Sequence, residues 1–560
     1  MDRPEGWYKD AIIYQVHVKT FKDTNGDGIG DFKGLISKLD YIKSLGINTI
    51  WVMPFYPSPL RDDGYDIADY YSINPAYGNI EELKMLITEV HSRDLRLITE
   101  LVINHTSDQH AWFKRARLSP AESSHRNYYV WSDDPAKYKG VRIIFTDSEP
   151  SNWSKDEETG LFYWHRFFYH QPDLNFDNPD VQEEIFNLLD YWADLGVDGF
   201  RLDAVPYLFE REGTSCENLP ETHAFLKKLR SHLDKRHKGL VFLSESNMWP
   251  EDTVHYFGNG DECHMNYHFP LMPRLFLALI KADRTPIEYI INRTPEIPDT
   301  CQWAVFLRCH DELTLEMVTL EDRNFMWEQY APDKHSRIHL GIRKRLSTLL
   351  NNDKRKIKLM NAILFSLPGT PLVYYGDEIG MGDNIWLNDR DGVRTPMQWD
   401  ESENGGFSNA PKEKLYLPTI ETPEFHYSNL NVAADEKNSD SLLQWMRNII
   451  RLRKELLVMG RGSFTFTNAD HPSILSYWRE YFGQTILIVI NLSDMPQKTF
   501  IDLTKPGYTA KLQDLFTGKN FSAENGTAIL NLKPYEFLWL NESELDQLEL
   551  VEKKMILSYN

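Results

Sequence analysis

An arginine and a carboxylate two residues apart are the first sign of chemistry in this sequence. They are Arg201 and Asp203, in the run Gly-Phe-Arg-Leu-Asp-Ala-Val that follows a helical pattern and is typical of a short buried strand. Side chains alternate along a strand, so both residues are expected on one face. The cation should lower the pKa of Asp203 and keep it ionised. Such a carboxylate can act as the nucleophile in glycosyl transfer, the alternative being an ion pair that ties two strands together.

Other polar residues also stand at the ends of predicted strands. Asn104 and His105 follow the third strand, Glu245 ends the fifth, and His310 and Asp311 follow the seventh. If these strands form one barrel, the side chains converge at its C-terminal mouth. Three carboxylates there supply the parts of a retaining glycosidase-type site, in which nucleophile and acid lie about 5 to 5.5 Å apart.

Glu245 is the predicted acid of this set. It follows the apolar pair Phe242-Leu243 and precedes Trp249, so burial is expected to raise its pKa. Asp311 would then bind sugar hydroxyls, and the two histidines, as neutral donors, suit the same hydroxyls.

The elements that must hold these residues form a regular pattern. Short apolar runs alternate with amphipathic helical segments, which is typical of parallel strands joined by helical crossovers. The predicted strands are residues 12–18, 49–54, 95–102, 199–204, 241–245, 264–268, 303–308 and 371–375. Eight such repeats predict an α/β protein with a (β/α)8 TIM barrel.

Two segments depart from this pattern. Residues 104–180 are rich in Trp, Tyr, His, Pro and Asn, and the segment is too long for an ordinary loop, so we expect an inserted subdomain after strand 3. Beyond residue 465, alternating strands separated by turns predict a C-terminal antiparallel β-sandwich. The predicted domains are therefore the catalytic barrel (1–103 and 181–464), the insertion (104–180) and the sandwich (465–560).

Composition restricts the partners. The 560 residues carry a net charge of −22, which disfavours nucleic acid and anionic membranes and favours a neutral substrate. Four cysteines without CxxC spacing argue against a disulfide framework and a zinc site. No run reaches about 18 apolar residues and no signal-peptide core stands at the N-terminus, so we expect a soluble, cytoplasmic protein, with homo-oligomerisation left open.

A glycine-rich acidic turn is a candidate metal site. Residues 23–31 place oxygens at alternate positions around glycines, like the opening of an EF-hand loop, which suits Ca²⁺. The candidate ligands are Asp23, Asn25, Asp27, Ile29 and Asp31. Position twelve is Gly34 and not Glu, so this is no EF-hand. A turn without metal is the alternative, and oxygen ligands alone do not separate Ca²⁺ from Mg²⁺.

Five blocks together resemble the signature of the α-amylase superfamily of glycoside hydrolases. They occur in the family's order and are Glu100-Leu-Val-Ile-Asn-His105, Gln171-Pro-Asp-Leu-Asn175, Gly199-Phe-Arg-Leu-Asp-Ala204, Ser244-Glu245 and His310-Asp311. Two positions depart from the pattern, since Cys309 stands where the family usually has Asn and Glu100 where it usually has Asp. Neither departure removes a catalytic carboxylate.

The resemblance implies a role for each matching residue. Asp203 would be the nucleophile, Glu245 the acid/base and Asp311 the transition-state stabiliser. The residues implied to hold the glucosyl ring are Asp66, His105, Arg201 and His310. The resemblance also implies a second metal site that joins the insertion, a B-type subdomain, to the barrel, with ligands Asn104, Asp173, Glu210 and the carbonyls of Tyr207 and Leu208. No organic cofactor is implied.

Within this superfamily the chain is most similar to members that interconvert maltose and trehalose. The stretches that carry this likeness are residues 107–110, 168–177, 216–223 and 311–316. It implies intramolecular transglucosylation by a retaining double displacement, with minor hydrolysis to glucose.

Three other kinds of protein share this barrel. A hydrolytic α-glucosidase acting on small α-glucosides would keep every catalytic residue and stays the alternative. Non-enzymatic relatives lose these carboxylates. A polysaccharide-active amylase needs an open cleft, whereas the aromatic insertion and the polar stretch 380–399 predict a covered pocket.

Overall fold

A computed structural model describes residues 3–503, 511–524 and 526–542. Eight parallel strands close into a barrel whose neighbours around the ring follow chain order, the first strand pairing with the eighth. The strands are Ile13–Val16, Thr49–Val52, Arg96–Val102, Gly199–Asp203, Val241–Ser244, Met265–Tyr267, Gln302–Phe306 and Thr370–Tyr374. The predicted (β/α)8 barrel is therefore confirmed, with each strand within a few residues of its predicted position.

Burial explains why these short runs form strands. Nearly every strand residue is buried, because helices cover the outside of the barrel and side chains fill its interior. The α-helices are Val18–Phe21, Phe32–Ser37, Leu39–Ser44, Ile80–Ser92, Ala111–Leu118, Pro179–Leu195, Pro220–Arg236, Pro250–Thr253, Leu271–Lys281, Thr285–Arg293, Leu320–Tyr330, Leu346–Leu349, Lys354–Ser366, Val432–Lys437, Leu442–Glu455 and Leu457–Arg461. Short 3-10 helices lie at Trp7–Asp10, Arg126–Tyr128, Val205–Tyr207, Val254–Phe257, Lys334–Ser336, Asp391–Val393, Glu403–Gly406 and Lys412–Lys414.

The helix Pro179–Leu195 leads into the strand that carries Arg201 and Asp203. The Asn178 side chain accepts a hydrogen bond from the first turn, and a proline stands at the start of the helix. The helix ends at Gly196, whose φ of 108° is a left-handed conformation that favours glycine. Both ends are therefore fixed locally, which sets where the catalytic strand begins.

The segment predicted as an insertion has structure of its own. It contains the helix Ala111–Leu118 and a three-stranded sheet in the order Trp131–Ser132, Phe162–Trp164, Trp153–Lys155. Isolated bridges, His105 with Asp173 and Tyr129 with Leu174, fasten the two ends of the segment together beside the barrel. The domain boundaries given above remain predictions.

A second small sheet follows the seventh barrel strand. It pairs Leu313–Thr314 with Gly341–Ile342, which pairs with Arg337–Ile338. Sequence analysis did not predict this hairpin, whose strands are only two residues long. It stands next to the C-terminal mouth of the barrel because it begins two residues after Asp311.

The C-terminal region is antiparallel, as predicted. In its described part, eight strands form one sheet with the spatial order Ser463–Phe466, Ile474–Tyr481, Gln484–Asn491, Phe537–Glu542, Lys511–Asp514, Asn520–Glu524, Thr527–Leu532 and Gln497–Asp502. Side chains from both ends of this order share one buried cluster, so the sheet folds over itself into a sandwich. Residues 504–510, 525 and 543–560 of the predicted domain lie outside the described residues. Across the described ranges, none of the helices has the length and apolar character needed to cross a bilayer.

Candidate active site

One cavity at the mouth of the barrel brings the three predicted catalytic carboxylates together. Asp203, Glu245 and Asp311 all line it, each at or just beyond the end of a barrel strand. The predicted residues His105 and His310 line it too. Its lining also includes Asp62, Tyr65, Phe145, Tyr207, Asn247, Cys309, Glu312, Glu316, His339 and Arg390.

Arg201 ties the nucleophile candidate to the acid candidate. Its Nη1 donates to Asp203 Oδ1, and its Nη2 lies 2.8 Å from Glu245 Oε1. Nη1 also lies 3.1 Å from Oε2 of Glu100, on the neighbouring strand. The backbone N–H of Ala204 donates to Glu245 Oε2 at 3.3 Å. One buried guanidinium therefore fixes both carboxylates, as expected if the strand places Arg201 and Asp203 on one face.

The pKa of Asp203 differs from the sequence expectation. Burial raises the pKa of this carboxyl to about 6, even though the Arg201 charge lowers it. The prediction of a lowered pKa was wrong because desolvation in the barrel mouth outweighs the neighbouring cation. The carboxyl is still mostly ionised at neutral pH, which a nucleophile requires.

Glu245 and Asp311 have opposite ionisation. Burial and the charges of Asp203 and Asp311 together raise the pKa of Glu245 to about 8, although the Arg201 charge lowers it, so this group holds a proton at neutral pH. Burial opposes ionisation of Asp311 as well, but its neighbours hold its pKa well below the usual range. His310 Nε2 lies 2.9 Å from its Oδ2, and Arg390 and Arg394 lie 2.9 and 3.1 Å from its Oδ1. The cavity thus combines one protonated acid with ionised carboxylates.

These ionisation states predict a bell-shaped pH dependence of kcat/KM. Activity should rise as Asp203 ionises around pH 6, because the protonated acid is not a nucleophile. It should fall as Glu245 loses its proton around pH 8, because the leaving oxygen then has no proton donor. The two groups interact, so the measured values belong to the pair. Initial rates of maltose conversion across this range test the prediction, and a profile without an alkaline limb would contradict it.

Burial keeps the two cavity histidines neutral, and their role as donors to sugar hydroxyls stays a prediction. Burial lowers the pKa of both His105 and His310 to about 3. His310 is held by Gln15 at 2.7 Å and by the hydroxyl of Tyr65 at 2.9 Å, and its ring stacks on that tyrosine at 5.5 Å. His105 lies 3.2 Å from the amide of Gln171. Both ring nitrogens of His310 are engaged by protein groups, since Nε2 also lies 2.9 Å from Asp311 Oδ2.

Asp66 does not line the cavity. Ser58 Oγ and the backbone N–H groups of Arg61 and Asp62 donate to its carboxylate at 2.7, 3.0 and 3.2 Å, so it holds its own loop. The contacts of Asp66 are thus within its own loop, whereas Asp62 lines the cavity, and a role of Asp66 in substrate binding stays a prediction.

Asp62 forms a buried pair that sequence analysis missed. Arg390 Nη2 donates to its Oδ1 at 2.9 Å, and Gln171 Nε2 donates to Oδ2 at 2.7 Å. Asp63 and Gly64, with φ of 52° and 106°, turn the chain between Asp62 and Asp66. This turn explains why two carboxylates four residues apart in one short acidic run face different surroundings.

Cys309 is the departure from the family pattern that lies in the cavity. Burial raises the pKa of its thiol to about 12, so it stays protonated at neutral pH. It adds a small apolar surface next to His310, and the contacts of that histidine with Gln15 and Tyr65 do not depend on it.

Three of the residues predicted for the second metal site carry a buried oxygen without a hydrogen-bond partner in the described part of the chain. Asn104 Oδ1, Asp173 Oδ2 and Glu210 Oε1 are buried and have no hydrogen-bond partner among the described residues. Burial raises the pKa of Asp173 and Glu210 well above their usual values. Buried oxygens without donors fit a hard cation such as Ca²⁺, which would restore both carboxylates to their charged form. The carbonyls of Tyr207 and Leu208 belong to the same segment as Glu210.

The glycine-rich loop 23–31 satisfies its own side chains. Asp23 accepts from the N–H groups of Asn25, Gly26 and Gly28, and Asp31 accepts from Thr24. The loop therefore shows no orphaned oxygen comparable to those at Asn104 and Asp173. A cation held by Asp23, Asn25, Asp27, Ile29 and Asp31 stays a prediction.

A polar clasp joins the insertion to the segment after the seventh barrel strand. Arg142 of the insertion pairs with Glu316 and donates from Nε to Glu217 Oε1 at 2.8 Å. Asn247, two residues after Glu245, donates to the other oxygen of Glu316. Glu316 and Asn247 line the cavity, so the clasp forms part of its wall.

Family comparisons agree with this geometry. Residues 15–462 match the alpha amylase catalytic domain, and residues 464–539 match the C-terminal domain of maltogenic amylase. The first of these matches covers most of the chain and includes every residue placed in the cavity.

Individual relatives are similar over most of this chain. A trehalose synthase of Thermus thermophilus is 52% identical over 534 residues, which cover 95% of this chain but only 55% of that protein. A trehalose synthase of Pimelobacter sp. (strain R48) is 49% identical over 560 residues, 97% of each chain. The crystal structure of a trehalulose synthase, MutB from Pseudomonas mesoacidophila MX-45, superposes with a TM-score of 0.77 at 28% identity, covering 97% of this chain and 100% of that one.

Proposed function

The chain belongs to the α-amylase family, and from that premise we propose that it interconverts maltose and trehalose by moving a glucosyl group within one disaccharide. Support comes from the trehalose synthases that are 52% and 49% identical to it. The observation that carries the proposal is the clasp of Arg142, Glu316 and Asn247, which forms part of the wall of a cavity already equipped for retaining glycosyl transfer.

In the first step Asp203 attacks the anomeric carbon of the non-reducing glucose. A bond forms between its carboxylate oxygen and that carbon while the glycosidic C–O bond breaks, and Glu245 gives its proton to the departing oxygen. The departing oxygen belongs to the 4-hydroxyl of the second glucose. Asp311, kept ionised by two arginines, would stabilise the positive charge that develops on the ring.

In the second step the released glucose must turn inside the cavity. Its anomeric hydroxyl then attacks the glucosyl carbon, Glu245 takes the proton of that hydroxyl, and the bond to Asp203 breaks. The product is trehalose, with retained configuration after two inversions. If water attacks instead, the product is glucose, as in the hydrolytic α-glucosidase that is the second candidate.

Access of water decides between these products. A glucose held beside the intermediate acts at an effective molarity of about 10⁵ M or more when well oriented, far above any free solute. This advantage exists only while the glucose is retained and water is excluded. Contacts that join the insertion to the barrel would help to retain the glucose and exclude water. Hydrolysis needs neither, because water is the attacking molecule.

Incubation of the purified protein with maltose tests the proposal. We expect trehalose as the main product and glucose as a minor one, with the same mixture approached from trehalose. Release of two glucose molecules per maltose without trehalose would leave the hydrolytic α-glucosidase as the better description.

We also propose that Asn104, Asp173 and Glu210 hold a Ca²⁺ or Mg²⁺ ion with the carbonyls of Tyr207 and Leu208. The proposal is supported by the three orphaned oxygens. A bound cation would supply no chemistry to the reacting atoms. It would fasten the insertion to the segment that follows Asp203. A cytoplasmic location and homo-oligomerisation remain predictions from sequence.

Chelation is therefore expected to lower the melting temperature. A cation bound only by the folded chain at a hundred times its Kd contributes about 2.7 kcal/mol of stability. Asp173→Asn should lower the melting temperature without chelator and make further chelation ineffective, while Asp27→Asn in the glycine-rich loop serves as the matched control for the other candidate site. An unchanged melting temperature after exhaustive chelation would remove both metal sites from the account.

A further inference from the structure

His339 stands where two covering segments of the cavity meet. It lies between the short strands Arg337–Ile338 and Gly341–Ile342, lines the cavity, and leaves only 9% of its side chain exposed. Its φ of 48° is left-handed, a strained conformation for histidine. Such strain persists where surrounding contacts enforce it, and it often marks functional positions.

The insertion supplies those contacts. The backbone N–H of His339 donates to Asp147 Oδ2 at 2.6 Å, and its ring stacks on Phe145 with centroids 4.6 Å apart and planes 9° apart. Phe145 also lines the cavity and lies against the guanidinium of Arg390. Contacts from the insertion therefore hold the imidazole in its position on the hairpin.

Both ring nitrogens of His339 lack a hydrogen-bond partner among the described residues, although both are buried. Nδ1 lies 3.7 Å from Asp147 Oδ2, beyond hydrogen-bond reach. Burial lowers the pKa of this histidine to about 4, so the ring is neutral, with one donor and one acceptor. That pair of functions matches a sugar hydroxyl, which donates and accepts.

The surrounding polar groups indicate which of the two glucose units His339 would bind. Arg201 Nη1 already donates to Asp203, and the Tyr65 hydroxyl already bonds to His310 and Glu100. The unsatisfied polar atoms that line the cavity are on other side chains: Asn247 Oδ1, Glu312 Oε2 and the two nitrogens of His339. These atoms are free to bind a glucose that is not attached to Asp203.

We propose that His339 hydrogen-bonds the released glucose and holds it inside the closed cavity while it turns. This role rests on the proposed isomerisation and adds a residue to it. Because the ring is positioned by Phe145 and Asp147 of the insertion, retention of the glucose and closure of the cavity depend on the same contacts. Loss of the ring nitrogens should therefore let water compete for the glucosyl group.

Two substitutions separate hydrogen bonding from packing. His339→Phe keeps an aromatic ring against Phe145 and removes both nitrogens. His339→Asn keeps a donor and an acceptor, and asparagine tolerates a left-handed φ. His335→Phe is the matched control on the same hairpin, since that ring is 60% exposed and packs on Trp386 outside the cavity.

The decisive readout is the ratio of glucose to trehalose formed from maltose. For His339→Phe this ratio should rise about tenfold, the effect of one lost hydrogen bond on the competition between glucose and water. The rate of hydrolysis of α-glucosyl fluoride should stay within about twofold, because fluoride leaves without needing a retained acceptor. His339→Asn and His335→Phe should keep the wild-type ratio.

An unchanged product ratio in His339→Phe would overturn the inference. So would an equal loss of both reactions, which is the mark of a merely structural residue. If His339→Phe fails to fold, His339→Leu and His339→Asn, which are similar in size, make the same comparison. If the wild-type protein forms no trehalose at all, both the proposed function and this inference fail. If the wild-type protein forms trehalose and His339→Phe keeps the same ratio of glucose to trehalose, only this inference fails.

Discussion

Asp203→Asn should reduce turnover of maltose by about 10⁴-fold or more. The amide is nearly isosteric with the carboxylate but is a poor nucleophile, so no glucosyl-enzyme can form. Arg201 would also lose one of the three carboxylates that it bridges. Rates of trehalose and glucose formation should fall together, because both products descend from the same intermediate.

A fluorinated glucosyl donor that slows breakdown of the intermediate makes this test specific. The wild-type protein should become labelled on Asp203, and Asp203→Asn should not be labelled. Asp194→Asn is the control, because that side chain is 69% exposed on the preceding helix. A label on any other residue would refute the assignment of the nucleophile.

Glu245→Gln should lower maltose turnover by about 10² to 10⁴-fold, the usual contribution of a positioned proton donor. The amide cannot protonate the departing sugar oxygen. Donors such as α-glucosyl fluoride, whose leaving group needs no proton, should keep a much larger share of their rate in the first step. The alkaline limb of the pH profile, which reports loss of the Glu245 proton around pH 8, should disappear with those donors.

Glu183→Gln, on the exposed side of the helix Pro179–Leu195, provides the control for this substitution. Equal losses of turnover with maltose and with α-glucosyl fluoride would show that Glu245 supports the structure of the site and is not the proton donor.

Local signals predicted the barrel and most of the site. Eight buried strands produce eight apolar runs, and each run can be found without knowledge of its partners. The catalytic carboxylates stand at the ends of those runs, so the barrel geometry alone predicts that Asp203, Glu245 and Asp311 converge.

What the sequence could not show depends on contacts between distant residues. Asp62 and Arg390 are 328 residues apart, and nothing near Asp62 distinguishes its carboxylate from that of Asp66. The clasp between Arg142 and Glu316 spans 174 residues. The pKa of Asp203 was predicted in the wrong direction for a similar reason. Its cation is a close neighbour in sequence, whereas its burial results from the whole barrel mouth.

The glucose that departs when Asp203 becomes glucosylated is expected to stay in the cavity until it attacks the glucosyl carbon. Conversion of unlabelled maltose in the presence of excess ¹³C-labelled glucose tests it directly, with mass analysis of the trehalose formed at early times. The account predicts trehalose almost free of label, and more label when His339→Phe lets the native glucose escape. Incorporation of label into wild-type trehalose in proportion to the free glucose would contradict it.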